Sequence, residues 1–347
     1  MAAVDMIPHA AIGAWLGSDV TGTLRTTGNL AVVHVLRLAD GRAVVVKARP
    51  AEDRLLGCAH VHRHLWRAGF PCPEPIAGPT RFGELAVSAE MAVEPTAGPA
   101  AGPAVSTTRR EAVWPASTSG PLGTTGDGHE KPVGEACGGF DAGAEVAGAG
   151  VAGAAECSAL LARLIEMAPR VRDTPSTTPS PPWVRWHHEE GPIWPWPDDR
   201  DVDLHAEESW HDAAALAVRA RLRRFAAEPV IGHCDFESHN IWWRGDVPLA
   251  VHDWDSVVAE PEAVIVGVAA AMWPAGDGRW GATLQESGEF LDGYQRASGR
   301  RFNREEIEAA WAAGLWIRLF NAKKWRLDGL DGLGRDEARE RGRMAGL

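Results

Sequence analysis

The sequence predicts a two-lobed α+β protein, with a small antiparallel β-rich amino-terminal lobe and a larger, mainly helical carboxy-terminal lobe. Residues 1–93 contain Val-rich runs separated by turn signals, as expected for a small sheet. Residues 94–156 are of low complexity, and 33 of the 62 positions from 95 to 156 are Gly, Ala or Pro. Residues 157–347 carry apolar residues at mostly helical spacing. These three ranges are the predicted lobes and the insertion between them.

The elements of the small lobe follow from local signals. They are predicted as a strand over 31–38, a return strand over 43–47, a helix over 51–68 and a strand over 85–89. Asp40-Gly41 is a strong hairpin turn signal between the first two strands. Gly69 ends the helix, and the three prolines at 71, 73 and 75 prevent it from resuming.

The segment 94–156 contains too few large apolar residues to form a packed core of its own. Burial of so little apolar surface does not offset the entropy lost on ordering the chain. We therefore expect a mobile insertion, with a helix near its end over 142–156.

The large lobe is predicted to be helical on either side of a Pro- and Trp-rich loop. Its expected elements are an apolar stripe over 160–165, the loop over 174–197, a helix over 206–227, a helix opened by Asn303 and Glu306, and a frayed charged tail from 328. Two roles are open for the Trp side chains of the loop. They either line a substrate pocket or hold the loop against the helices.

The most informative motif is His233-Cys234-Asp235, followed by Asn240 and then by Asp253. The spacing H-x-D-x-x-x-x-N is expected by chance only roughly 0.01 times in a chain of this composition. Phosphoryl transfer needs such a set, because one Asp accepts the proton of the acceptor while an Asn and a second Asp bind the metal on the phosphates. Asp235, Asn240 and Asp253 are therefore candidate functional residues.

A predicted hairpin brings two of these residues together. Residues 241–243 and 249–251 are β-prone, and Arg244-Gly245-Asp246 is a turn signal between them. Asn240 enters the hairpin and Asp253 leaves it, so both side chains are expected near one cation. Mg²⁺ favours such a site, with one or two protein oxygens completed by phosphate and water.

Charge and cysteine content limit the classes of partner. A net charge of −12 argues against binding to nucleic acid or to anionic membranes, and it suits a cationic substrate. The acidic run over 198–203 is either a solvated helix start or the rim of a substrate site. Three observations predict a reduced, cytoplasmic protein. The five cysteines are scattered, no apolar run is long enough to span a membrane, and residues 1–5 lack the basic region and the long apolar segment of a signal peptide.

With these motifs on a hairpin behind a helix, the chain resembles the aminoglycoside phosphotransferase and choline kinase-like family. The resemblance extends over about residues 25–92 and 157–325, and it implies a bilobal protein-kinase-like fold. It also implies that Asp235 is the catalytic Asp and that Asn240 and Asp253 bind Mg²⁺. His233 would brace the catalytic loop, and Asp255 is either a support for a second cation or an exposed loop acid.

In the small lobe, the resemblance implies a site for ATP or GTP. Val44-Val45-Val46-Lys47 is similar to the strand whose Lys contacts the α- and β-phosphates. Gly28 and Asn29 lie where the nucleotide loop is expected, and Glu90 and Ala92 lie at the hinge, whose backbone binds adenine.

The chain also departs from the family pattern. The family pairs its strand Lys with a Glu on the next helix, whereas this chain has Cys58 and Ala59 at that place. We expect Lys47 to be held by Glu52, by Asp53 or by no acid. Cys234 replaces the Gly that commonly precedes the catalytic Asp.

The sequence thus predicts an ATP- and Mg²⁺-dependent kinase that phosphorylates a hydroxyl of a small molecule. An aminoglycoside-like antibiotic, an amino alcohol and a sugar metabolite all fit as acceptors. The alternative is a nucleotide-binding regulatory protein with little or no catalysis, which the missing helix Glu suggests. A zinc protein using the histidines at 60, 62 and 64, or His187 and His188, is disfavoured. Alternate positions on a helix do not share a face, and the second cluster has no residue to complete the ligand set.

Overall fold

The computed structural model describes residues 7–28, 31–93, 153–186, 192–276, 278–326, 329–330 and 332–347. Most of the predicted insertion, residues 94–152, therefore lies outside the described residues, as do Asn29 and the segment His187–Glu190. Within the described ranges, no helix combines the length and the apolar character needed to cross a membrane.

The small lobe is built on one five-stranded antiparallel sheet. Its elements are α1 (His9–Leu16), β1 (Val20–Gly28), β2 (Val32–Leu38), β3 (Ala43–Pro50), α2 (Arg54–Arg67), β4 (Pro75–Phe82) and β5 (Leu85–Met91). The strand order is β1-β2-β3-β5-β4, and the register aligns Lys47 with Val33 on β2 and Ser88 on β5. The predicted β-rich lobe is confirmed.

Three elements of this lobe were missed from sequence: α1, β1 and β4. β1 is Thr- and Gly-rich rather than apolar, and β4 contains Pro75 and Pro79. Proline is tolerated there because β4 is an edge strand, where a missing N–H breaks no ladder bond.

The large lobe is mainly helical, as predicted. Its elements are α3 (Ala154–Met167), α4 (Trp210–Arg224), β6 (Pro229–His233), β7 (Ile241–Arg244), β8 (Val247–Val251), β9 (Val257–Pro261), α5 (Glu262–Met272), α6 (Leu284–Ser298), α7 (Arg304–Arg326) and α8 (Arg335–Met344). α5 and α7 cross at Gly267 and Gly314, where the two backbones approach closely. The predicted hairpin corresponds to β7 and β8, and β6 pairs with β9 beside it.

Two boundaries differ from the sequence expectation. α4 begins at Trp210 and not at 206, because Ser209 and Asp212 form a capping box in which the Ser209 N–H donates to Asp212 Oδ2 over 2.6 Å. The tail from 328 is not frayed: it contains α8. Arg341 of α8 is fully buried and donates to the Ala282 carbonyl over 2.5 Å. The predicted Asn303–Glu306 cap at the start of α7 is confirmed, with reciprocal bonds of 3.0 and 2.8 Å.

α2 joins the two lobes. Its buried side chains Val61 and Leu65 belong to the hydrophobic core of the large lobe and not to that of the sheet. At Gly57 the helix lies so close to the loop at 175–176 that a Cβ would be 2.5 Å from the Pro175 carbonyl oxygen. The first turn of α2 is thereby fixed against the loop at 175–176 of the large lobe.

Candidate functional site

The loop that carries Asp235 and Asn240 begins where β6 ends, and His233 fixes its backbone. His233 Nε2 donates to the His252 carbonyl over 3.0 Å, and its Nδ1 accepts the N–H of Asp235 over 3.2 Å. Both bonds are satisfied by the neutral ring with its proton on Nε2. Burial lowers the pKa of His233, which also favours the neutral ring.

Asn240 lies directly against Asp235. Its Nδ2 donates to Asp235 Oδ2 over 2.7 Å and to the Asp235 carbonyl over 2.9 Å. The His252 N–H in turn donates to the Asn240 carbonyl over 2.8 Å, which ties the catalytic loop to the end of β8. Since the amide nitrogen is used on Asp235, the amide oxygen of Asn240 is the atom available to a cation.

Asp253 adopts a left-handed backbone conformation, with φ of 64° and ψ of 48°. Asp tolerates this region better than most residues, and such conformations are concentrated at functional sites. One carboxylate oxygen contacts Lys47 Nζ, and the other accepts the Ser256 hydroxyl over 3.1 Å. Asp253 therefore lies directly after the predicted hairpin and pairs with Lys47, a pairing that the sequence did not predict.

Asp255 is not an exposed loop acid, which corrects one of the two readings of this residue. Its Oδ1 lies 2.6 Å from Lys47 Nζ, and its Oδ2 pairs with Arg49. Burial alone would raise the pKa of Asp255, but the Lys47 and Arg49 cations outweigh it and hold the pKa well below its usual range.

The carboxyl groups of Asp253 and Asp255 differ in pKa because Asp255 contacts two cations, Lys47 and Arg49, whereas Asp253 contacts only Lys47. Burial, and then the neighbouring Asp255 charge, raise the pKa of Asp253 to about 7. Asp235 is also close enough to add to this rise. Burial alone would lower the pKa of Lys47, yet Asp253 and Asp255 together raise it, so the lysine stays charged.

The expectation that Glu52 or Asp53 holds Lys47 is wrong. Both side chains are exposed, and Lys47 is paired with the loop acids Asp253 and Asp255 instead. Cys58, one of the two residues found where the resemblance implies a Glu, has its Sγ 3.8 Å from the Asp255 carbonyl oxygen. Burial raises the pKa of Cys58 to about 11, so it remains a thiol.

Sequence reasoning missed Arg49 and Arg54. Arg54 is 2% exposed and donates to the carbonyls of Asp255 and Val257 over 2.6 and 2.8 Å. A buried arginine in the first turn of a helix is unusual, because cations are disfavoured near a helix N-terminus. The presence of an arginine in the first turn of α2 was therefore the signal in the sequence that its side chain has specific hydrogen-bond acceptors.

A group of three aromatic rings connects α2, the loop after β8 and β6. Trp254 stacks on His62 with ring centroids 5.0 Å apart and is edge-on to His233 at 5.6 Å. The Trp254 indole also donates to the Val251 carbonyl over 2.9 Å. Trp254 thus fixes the orientation of the residues on either side of it, Asp253 and Asp255.

A cavity of about 330 Å³ lies between the sheet and the β7–β8 hairpin. Val33, Val45 and Trp242 are among its apolar lining residues, and Lys47 and Asp253 are among its charged ones. Apolar side chains together with a few charged groups suit a nucleotide base and its phosphates.

The hinge residues border the same cavity, with one correction. The Ala92 N–H donates to the Ala43 carbonyl over 2.9 Å, so it is not available to a base. The Glu90 side chain lies on the cavity, 3.7 Å from His252 Nδ1 and 4.0 Å from His62 Nδ1. Gly28 ends β1 opposite Val32, and Asn29 lies outside the described residues.

A second acidic group lies beside Asp235. Asp235, Glu237 and His239 bring three potential ligand atoms within 4.8 Å of one another. Burial, and then the Asp235 charge, raise the pKa of Glu237 well above its usual range.

On the acidic run over 198–203, burial and the Asp199 charge raise the pKa of Asp198 to about 6, while Asp199 pairs with Lys324. Asp198 and Asp199 are therefore more than a solvated helix start.

The Trp side chains of the 174–197 loop divide between the two predicted roles. Trp186 and Trp194 are buried against Trp316 of α7, and Trp183 donates to the Cys234 carbonyl over 2.8 Å. Trp196, in contrast, is 57% exposed. Most of this loop therefore supports the helices and the catalytic loop, and Trp196 alone of these four remains open to a ligand.

Comparisons with known proteins show the family and the fold. The model of the phosphotransferase enzyme family matches residues 122–310. A proposed fructosamine-3-kinase of Thermobifida fusca is similar in structure, with a TM-score of 0.52, 15% identity and coverage of 98% of this chain and 100% of that one. Amicoumacin kinase hAmiN, in complex with AMP-PNP, Ca²⁺ and Ami, has a TM-score of 0.51, 10% identity and coverage of 93% and 86%. No curated protein matches the chain by sequence.

Proposed function

Because the chain belongs to the phosphotransferase enzyme family, we propose that it transfers the γ-phosphoryl group of ATP to a hydroxyl of a small molecule. The observation that carries the proposal is the convergence of the motif. Asn240 Nδ2 lies 2.7 Å from Asp235 Oδ2, and Lys47 pairs with Asp253 in the lining of the cavity. Residues from both lobes thereby line one cleft.

The donor atoms fit Mg²⁺. A carboxylate from Asp253 and the amide oxygen of Asn240 are hard oxygen ligands, and both come from the two ends of one hairpin. When bound, the ion neutralises charge on the phosphates. GTP fits the same phosphate site, and ATP is proposed on the family pattern.

Each residue then has one task. Asp235 orients the acceptor hydroxyl and accepts its proton, and His233 holds the backbone of that loop. Lys47 neutralises phosphate charge from a rigid strand. Positioning and electrostatics provide nearly all the catalysis in this reaction class, so few residues are needed.

The acceptor proposed is a hydroxyl compound that carries positive charge, such as an aminoglycoside-like antibiotic or an amino alcohol. Glu237 lies beside Asp235, and a cationic group of the acceptor next to it would favour its ionised form. The net charge of −12 favours cations in general. A sugar metabolite remains a second class of acceptor.

A coupled ADP-release screen over hydroxyl-bearing antibiotics and metabolites tests the proposal. We expect acceptor-dependent ADP release, lowered by about 10²–10⁴-fold in Asp235→Asn, because the amide cannot accept the proton. Asp246→Asn in the exposed hairpin turn is the matched control and should match the wild type. Nucleotide binding without ADP release across the panel would instead favour the regulatory alternative.

A further inference from the structure

Lys47 has no carboxylate partner on α2. The first turn of α2 contains no acid, and Cys58 faces the Asp255 carbonyl at 3.8 Å. Position 58 faces two main-chain carbonyl oxygens, those of Asp255 and Val257, and a buried carboxylate in place of the thiol would meet these acceptors with no hydrogen to donate. The anchor of the lysine must therefore come from another element.

Lys47 is anchored in a cluster of two cations and two carboxylates. Lys47 and Arg49 are two residues apart on β3, so their side chains point to the same face of the strand. Asp253 and Asp255 are also two residues apart on the loop after β8. Lys47 contacts both carboxylates, whereas Arg49 contacts only Asp255.

The backbone of the loop is held independently of these side chains. Arg54 donates to the carbonyls of Asp255 and Val257, and the Trp254 indole donates to the Val251 carbonyl. Asp255 is thus fixed at its main chain by α2 and at its carboxylate by β3. The pair between Arg49 and Asp255 is 18% and 12% exposed, so solvent screens it only weakly.

We propose that Arg49 is a positioning residue, which acts through Asp255 to keep Lys47 directed at the phosphate site. This inference rests on the proposed function. Asp255 replaces the Glu that the family pattern places on the helix. Because Arg49 also pairs with the Asp255 carboxylate, Asp255 binds Lys47 less tightly than it would alone. Without Arg49, two carboxylates face one ammonium, and Lys47 is held more tightly away from the phosphates.

A double-mutant cycle on nucleotide affinity tests this role. The variants are Arg49→Met, Asp255→Asn and the double variant, with AMP-PNP as the probe in calorimetry. Arg49→Met should weaken affinity about tenfold in the wild-type background and less than about twofold in the Asp255→Asn background. Arg49→Lys, which keeps the charge, should restore most of the affinity.

An equal loss in both backgrounds would overturn the proposal, because it would mean that Arg49 contacts the phosphates directly. Asp53→Asn is the control for a nearby exposed acid, and it should leave affinity unchanged.

A second cycle, on urea unfolding without nucleotide, separates this proposal from the function itself. The single changes at 49 and 255 should each destabilise the protein, and the double variant should be less destabilised than their sum. Strict additivity would show that the pair has no energetic coupling. This result can be read even if no acceptor is ever phosphorylated.

Discussion

The contacts of Arg54 allow us to predict how much its removal lowers the free energy of unfolding. Its side chain is 2% exposed, and two of its bonds, to the carbonyls of Asp255 and Val257, have lengths of 2.6 and 2.8 Å. A hydrogen bond from a charged donor contributes about 1.5–3 kcal/mol, so the two provide about 3–6 kcal/mol. Arg54→Ala also removes the cost of burying the guanidinium, which offsets part of this. We expect a net loss of about 3 kcal/mol in the free energy of unfolding.

Urea unfolding followed by tryptophan fluorescence measures this loss. For a urea dependence of about 3 kcal/mol per molar, the midpoint should fall by about 1 M. Arg67→Ala is the matched control, because Arg67 is an exposed arginine on the same helix. Exposed changes of this kind usually alter stability by about 0.5 kcal/mol or less.

Arg54→Lys should be intermediate, since one ammonium cannot reproduce the planar fork of a guanidinium. If Arg54→Ala unfolds at the same urea concentration as Arg67→Ala, then the bonds from α2 do not stabilise the loop after β8, and the reasoning fails.

Two further predictions follow from the site and the core. The pKa of Asp253 is raised to about 7, so the affinity for Mg²⁺ with AMP-PNP should fall about tenfold per pH unit below pH 7 and level off above it. Calorimetry of Asp255→Asn should show the midpoint of this pH dependence at lower pH, because the Asp255 charge is one cause of the raised pKa. An unchanged midpoint would contradict the assignment. Gly267→Ala should destabilise the protein by about 2 kcal/mol or more, because its Cβ would overlap the Ala310 carbonyl. Gly288→Ala on α6, where a Cβ meets nothing within 4 Å, should be neutral or stabilising by up to about 1 kcal/mol.

Much of the fold could be predicted because its signals are local. Asp40-Gly41 marked the β2–β3 hairpin, and Asn303 with Glu306 marked the start of α7. β4 and α8 were missed for the opposite reason. Pro75 and Pro79 are acceptable only because β4 is an edge strand, and Arg341 is buried only because distant residues accept its hydrogen bonds. Neither fact is visible along the chain.

The same distinction applies to the site. The spacing of Asp235, Asn240 and Asp253 was readable because one loop and one hairpin position them. The partner of Lys47 was not readable, since Asp253 and Asp255 are more than two hundred positions away in sequence. Arg49 was missed for the same reason, because its partner Asp255 is equally distant in sequence. Long-range ion pairs depend on how the lobes meet, which local patterns do not record.

The most direct test of the account is whether Asn240 and Asp253 bind one divalent ion together with a nucleotide. Mn²⁺ can replace Mg²⁺ as a paramagnetic probe, and its binding in the presence of AMP-PNP is measured by electron paramagnetic resonance. We expect one tight site in the wild type, a large loss of affinity in Asp253→Asn and in Asn240→Ala, and no change in Asp246→Asn. Undiminished Mn²⁺ binding in both site variants would contradict the account.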